Sequence, residues 1–330
     1  MSLKDKTFLI VGGAGYIGSH MTLMLHELGY QVIVLDNLST GFEDAVIGAK
    51  FIQGDIHDSE KLDEVFKNFK IDVVMHFAAH IDVGESVRDP FKYYRNNVVA
   101  TQALLERMVS NGISNFIYSS TAAIFGEPEY VPIDEVHGKN PINPYGHSKL
   151  MVEQMLESYD QAYGLKSICL RYFNAAGADP KSRIGERHDP ETHLIPLVLQ
   201  VASGRRESVS VFGDDYDTDD GTCLRDYIHI VDLCNAHLLS TKLLLKENIS
   251  RRFNLGNGNG YTVKQLINLA KQVTNKPINV QQAERRDGDP AKLVADAALA
   301  KKTLNWQPKY SNLEEIIEHA WKWEIKQSHQ

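Results

Sequence analysis

A short apolar run, Phe8-Leu9-Ile10-Val11, breaks into Gly12-Gly13-Ala14-Gly15-Tyr16-Ile17-Gly18 and then into a helical pattern that ends near Gly29. The next run, Gln31-Val32-Ile33-Val34-Leu35-Asp36, closes on an acid. Strand, glycine turn, helix and strand in that order point to a parallel pair covered by its connecting helix. More apolar runs follow at Phe51-Ile52, Val73-Val74-Met75-His76-Phe77, Asn115-Phe116-Ile117-Tyr118 and Ser167-Ile168-Cys169-Leu170, each separated from the next by room for a helix. Such alternation predicts a parallel sheet buried on both faces.

Two glycine spacings overlap. Gly13, Gly15 and Gly18 fit G-x-G-x-x-G, while Gly12, Gly15 and Gly18 fit G-x-x-G-x-x-G, and periodicity does not choose between them. In either, the glycines let the backbone turn tightly and approach a pyrophosphate, whose charge meets amide N–H groups at the start of the following helix. Asp36 stands about twenty residues beyond the glycines, where a carboxylate accepts from ribose hydroxyls and repels a 2′-phosphate. NAD is therefore expected rather than NADP. The plainer role for Asp36 is a turn aspartate before Asn37. Together these features predict an α/β fold, a Rossmann-type doubly wound parallel sheet with a smaller C-terminal substrate-binding lobe.

Asp89-Pro90 and Asn143-Pro144 each pair an N-cap with a first-turn proline, the first for a helix running towards Asn111-Gly112. After Asn174-Ala175-Ala176-Gly177 the rhythm changes to a loop rich in charge, then a helix from about His193 to Gly204. Residues 1–177 are expected to form the NAD-binding domain and 178–330 mainly the substrate lobe. The chain is expected to return to the first sheet at about 226–258, through Tyr227-Ile228-His229-Ile230 and Phe253-Asn254-Leu255-Gly256. Thr262-Val263-Lys264-Gln265 has capping-box form, and two closing helices are expected near Asp296 and Asn312.

Tyr145 and Lys149 stand four residues apart, so one helix aims a phenol and an ammonium at one point. A neighbouring cation favours phenolate, which makes Tyr145 a candidate base with Lys149 its tuner. A net charge of −8 argues against nucleic acid or an anionic membrane as a general partner. With no signal-peptide core and no spanning-length apolar stretch, the cytoplasm is the expected location. The three cysteines, Cys169, Cys223 and Cys234, lack C-x-x-C spacing and read as packing residues. Asp215-Tyr216-Asp217-Thr218-Asp219-Asp220-Gly221 has its glycine one position late for a calcium loop and reads as a polar loop near substrate. The thirteen histidines contain no H-E-x-x-H; His188 and His193 are read as loop and helix-start residues, and no metal is expected.

With the glycine turn, Asp36, Tyr145 and Lys149 in order, the chain resembles the extended short-chain dehydrogenase/reductase family, and within it the members that invert C4 of UDP-hexoses. The likeness runs through Met75-His76-Phe77-Ala78-Ala79, Val83-Gly84-Glu85-Ser86, Tyr93-Tyr94-Arg95-Asn96-Asn97-Val98, Arg171-Tyr172-Phe173-Asn174-Ala175-Ala176-Gly177-Ala178, Asp220-Gly221-Thr222-Cys223-Leu224-Arg225-Asp226-Tyr227-Ile228-His229 and Asn254-Leu255-Gly256-Asn257-Gly258. It implies that Tyr145 removes the proton of the sugar 4-hydroxyl as hydride passes from C4 to tightly bound NAD. Return of the hydride to the other face of the 4-keto sugar would then interconvert UDP-glucose and UDP-galactose. Thr121, in Tyr118-Ser119-Ser120-Thr121-Ala122-Ala123, matches the family's usual hydroxyl, with Ser120 the alternative one position earlier. Around the cofactor the resemblance adds Tyr16, Ile17, Asn37, Asp55, Ile56, Phe77, Ala78, Asn96 and Phe173 to Gly12, Gly15, Gly18 and Asp36, and has Lys149 hold the nicotinamide ribose. For the sugar nucleotide it implies Thr121, Tyr145, Asn174, Leu194, Phe212, Arg225, Arg286, Asp289 and Leu293, the two arginines as forks for the diphosphate. Where some members carry a lysine, this chain has Ile81. The related dehydratases follow the threonine with an Asp-Glu pair; here Ala122-Ala123 stands instead. A fold-sharing NAD sensor would lose the Tyr/Lys pair, which is present. Leu293 is expected to narrow the room for a sugar 2-substituent, with a plain core leucine as the alternative. A homodimer through the Asp89 and Tyr145 helices is the family expectation.

Overall fold

The computed structural model describes residues 5–286 and 289–328. Strands β1 (Thr7–Val11), β2 (Gln31–Asp36), β3 (Lys50–Gln53), β4 (Val73–His76), β5 (Asn115–Thr121) and β6 (Lys166–Tyr172) come first in chain order. Short strands β7 (Asn174–Ala176), β8 (Val209–Phe212) and β9 (Leu224–His229) follow, then β10 (Arg251–Leu255), β11 (Gly260–Thr262), β12 (Val280–Ala283) and β13 (Lys292–Leu293). Seven strands form one all-parallel sheet in the order β3-β2-β1-β4-β5-β6-β10.

Alternation along each strand decides which layer a side chain joins. Phe8 and Ile10 enter one core with α1 (Tyr16–Glu27), while Leu9 and Val11 enter the other with α2 (Ser59–Asn68). After α2 come α3 (Val83–Arg88), α4 (Pro90–Tyr93), a π-type turn (Tyr94–Val99), α5 (Ala100–Ser110) and α6 (Pro144–Tyr163), of which α5 and α6 join α2 on the second core. Asp89 and Asn143 cap as expected, accepting from the Lys92 and Gly146 amides. Gly164, left-handed at φ 69°, closes α6.

The smaller lobe carries α7 (Leu194–Ser203), α9 (Val263–Thr274) and α11 (Leu313–Ser328), packed as a third core with β8 and β9, while α8 (Ile230–Glu247) and α10 (Ala298–Leu304) lie on the first core. The capping box at Thr262 and Gln265 is complete. The expected return to the large sheet needs correction. Tyr227-Ile228-His229 lies in β9, which pairs with β7, β11 and β13, so the chain rejoins the large sheet only through α8 and β10. So short an apolar run is buried equally well in either sheet, and only its partners distinguish them. No helix among the described residues is long and apolar enough to cross a membrane.

Candidate active site

Strand register collects the cofactor candidates. Val11 pairs with Leu35 and His76, His76 with Tyr118, and Thr121 with Tyr172, so the glycine turn, Asp36, Phe77, Thr121 and Phe173 emerge at one carboxyl edge. β1 lies between β2 and β4, where the strand order reverses and open α/β sheets hold ligands.

The structure separates the glycines by task. Gly12 has φ +80°, and a side chain there would press within 2.4 Å of the Ala78 amide; a Cβ on Gly18 would meet the Gly12 carbonyl at 2.1 Å. Gly13 leaves room for Val34 in the sheet. Gly15 alone of the four meets nothing closer than 3.5 Å, so its missing side chain serves the open side, where a pyrophosphate would approach. It is also the N-cap of α1 and brings no side chain to cap it, which leaves the Tyr16 and Ile17 end of the helix free for an anion. The Tyr16 ring turns inward, its hydroxyl donating to the Gly177 carbonyl at 2.7 Å and tying the glycine turn to the start of the smaller lobe.

Asp36 accepts from the Ala14 amide at 2.9 Å and the Leu38 amide at 2.8 Å, and burial raises its pKa against those bonds. It thus braces the glycine turn. Asn37 donates to Asp55 at 2.8 Å, and Asp55 also receives the His57 amide, beside buried Ile56. Phe77 and Ala78 both donate from the backbone to Val11. Asn96 sits in the π-type turn and donates to Asn97, whose own amide bonds His80 and Ser148. Asn97 was not expected in this role, and the doubled asparagine is the only signal of it in the sequence. Ile81 is exposed and offers no donor in place of a lysine.

Gly146 lets α6 abut the turn after β5, since a Cβ there would lie 2.5 Å from the Ala123 carbonyl. That approach brings Tyr145 beside Thr121, whose own hydroxyl accepts from the Ala123 amide at 3.1 Å. Burial raises the Tyr145 pKa and the neighbouring Thr121 hydroxyl works against it. Burial also lowers Lys149 to about 7, and its ammonium donates to the Ser119 carbonyl at 2.9 Å. Burial is the largest influence on both groups. Ser120 faces the other way, donating to Glu153 at 2.6 Å within a buried Glu153–Arg171 pair, so the one-position alternative is committed to structure.

Of the sugar-nucleotide candidates, Arg225, Asp289, Asn174 and Leu293 meet at β9, while Phe212 and Arg286 stand together by the β8–β12 pair and Leu194 on α7. Arg225 donates to Asp289 at 2.5 Å and pairs across strands with Leu293. Leu293 and Phe173 pack together against the cluster of Ala122, Ile124, Phe125 and Ile133, next to Thr121. Asn174 donates to the Asp226 carbonyl, and the Asp226 carboxylate receives the amides of Asn257, Gly258 and Ala295, fastening β9 to two loops. Arg286 lies 3.8 Å over the Phe212 ring. Leu194 opens α7 and rests on the third core. In the acidic loop, Asp215 and Asp217 pair with Arg285 and Lys292, and Asp220 takes the Thr222 and Thr262 hydroxyls. One grouping was not foreseen: His188 and His193, read as loop and helix-start residues, meet Glu186 and Glu191.

A glycine turn shaped for a pyrophosphate, an acid for ribose and a Tyr/Thr/Lys set at the same sheet edge describe an enzyme that moves hydride and proton together. Comparison with known proteins agrees. The UDP-glucose 4-epimerase of Halalkalibacterium halodurans is 53% identical over 321 residues, covering 97% of this chain and 96% of its own. A crystal structure of a UDP-glucose 4-epimerase superposes with a TM-score of 0.95 at 52% identity, covering 98% of both chains. The Brucella ovis enzyme of that name, solved in complex with NAD, gives 0.93 at 47% identity over 96% of this chain and 98% of its own. The model of the NAD dependent epimerase/dehydratase family matches residues 8–256, from the first strand through the glycine turn, Thr121, Tyr145 and Lys149, and the chain belongs to that family.

Proposed function

We propose that this chain interconverts UDP-glucose and UDP-galactose by inverting C4 through a transient 4-keto sugar. The observation that carries the reading is the placement of Tyr145 beside Thr121 at the carboxyl edge, one helical turn from buried Lys149. Bound NAD supplies the hydride acceptor and, after the sugar turns over, the donor. Tyr145 takes the 4-hydroxyl proton and returns it to the same oxygen once the keto sugar has presented its other face to the hydride; Thr121 steadies the phenolate and the substrate hydroxyl in turn. Lys149 holds the nicotinamide ribose, which adds an acceptor to the carbonyl it already meets. Arg225 and Arg286 clamp the diphosphate, and Leu293 limits the sugar's 2-substituent.

On this reading residues 1–177 together with α8 and β10 hold the cofactor, and the remaining C-terminal segments hold the sugar nucleotide. A cytoplasmic homodimer belongs to the same proposal. Phe91, Val99 and Met151, on neighbouring helices, are 70%, 55% and 42% exposed, an apolar surface suited to a second copy. The test is incubation of purified protein with UDP-galactose and no added NAD. UDP-glucose is the expected product; a 4-keto-6-deoxy sugar, or no product, overturns the proposal.

A further inference from the structure

The segment from Glu186 to His193 supplies four side chains at positions one, three, six and eight, and one donor atom from each lies within 4.8 Å of all the others. His188 Nδ1 is 3.4 Å from Glu191 and 3.7 Å from Glu186, and His193 Nδ1 contacts Glu186 directly. Both carboxylates are 5% exposed, and among the described residues neither has a lysine or arginine in ion-pair range. The nearby arginines are engaged elsewhere, Arg183 with Asp179 and Glu27, Arg187 with Asp44. Two buried anions without a permanent cation demand a partner.

We propose that Glu186, His188, Glu191 and His193 bind one divalent transition-metal ion of the zinc class. Two imidazoles and two carboxylates are a complete four-ligand set for such an ion, and neutralise its charge with every ligand in its ordinary form. At metal–ligand distances of about 2.0–2.2 Å the donors would stand about 3.4 Å apart, so the wider pairs must draw in while His193 and Glu186, now in direct contact, must part to admit the ion. Two nitrogen ligands disfavour magnesium and calcium. The surroundings already hold the ligands in place. Glu191 receives the Thr192 and His193 amides at 2.9 and 3.0 Å, and the Glu186 carbonyl receives the Trp323 indole at 3.0 Å. All four positions are taken by protein, which makes the ion a structural one. It would pin the loop that runs from the glycine-turn side, where His188 meets Tyr16 edge-on, to the first residue of α7, Leu194.

The rival way to neutralise the carboxylates is a proton on each imidazole, and metal binding separates the two. The full-length protein, chelator-treated and desalted, is titrated with Co²⁺ near pH 8. The expected result is a tetrahedral visible spectrum that saturates at one ion per chain, is displaced by Zn²⁺ and is untouched by excess Mg²⁺. In His188→Ala and in Glu191→Gln the affinity should fall by about 100-fold or more. Zn²⁺ should raise the Tm of the wild type and leave those variants unmoved. Absence of a saturable Co²⁺ spectrum in the wild type overturns the proposal, and that measurement stands even if a variant fails to fold. Unchanged Co²⁺ affinity in folded variants overturns it as well.

Discussion

The proton-transfer end and the diphosphate end of the site are built on opposite electrostatic plans. Tyr145, Thr121 and Lys149 lie where α6 meets the sheet, Lys149 donates to a backbone carbonyl, and burial moves the proton affinities of Tyr145 and Lys149. Arg285 and Arg286 stand on a loop of the smaller lobe, partnered by an acid or an aromatic face that water also reaches, whereas Arg225 on β9 is largely covered and only its partner Asp289 is partly exposed. Desolvation is what shifts a pKa, so the chemistry requires enclosure. Recognition of a mobile anion requires forks that exchange partners, which a solvated ion pair allows because it is held by little more than ~1 kcal/mol.

The contrast breaks most readily at the phenol. Tyr145→Phe is expected to lower kcat by about 10²–10⁴-fold, the usual worth of a positioned acid–base group, with NAD content unchanged on denaturation. Near-normal turnover would remove Tyr145 from the chemistry. Arg225→Gln is expected to raise KM for UDP-galactose about 10- to 100-fold through loss of ~1.5–3 kcal/mol of charged hydrogen bonding, with kcat less affected. Asp289→Asn, which frees the guanidinium, should do less. If Arg225→Gln lowered kcat alone, the division of labour between the two ends would be wrong.

Thr121→Ala should cost about 5- to 13-fold in kcat, the worth of ~1–1.5 kcal/mol from one hydrogen bond, and Thr121→Ser almost nothing. Equal damage from both would point to packing of the methyl group. Leu293→Ser should shift the specificity ratio several-fold towards N-acetylated UDP-sugars, since relieving a crowded site recovers ~1–3 kcal/mol. A fall in Tm with that ratio unchanged would make Leu293 a core residue only. The last effect is in stability. Lys149 sits at about 7 when folded, below its unfolded value, so between those two values the unfolded chain holds a proton the folded one has lost. Cofactor-free wild type should therefore gain up to about 1.4 kcal/mol per pH unit relative to Lys149→Met from about pH 7 to about pH 10, measured by urea unfolding. Parallel profiles would mean the ammonium is not desolvated.

The large sheet was legible because its signals are local. Strand alternation, Asp89-Pro90, Asn143-Pro144 and the Thr262 box act within a few residues, and each appears where its spacing places it. The glycine spacing was legible only as an ambiguity. Ala78, far along the chain, crowds Gly12 and thereby assigns that glycine to packing, while Gly15 is left facing open space.

The sequence by itself determined the cofactor turn, the order of the strands that carry it, and the Tyr/Lys spacing that one helix face makes inevitable. Tertiary structure decided which sheet received β9, which hydroxyl of Ser120 and Thr121 met Tyr145, and that burial would govern both Tyr145 and Lys149. It also gathered Glu186, His188, Glu191 and His193 into one group. The physical reason is range: helix and strand periods repeat over a few residues and are written in the chain, whereas desolvation and donor grouping depend on segments that meet only after folding.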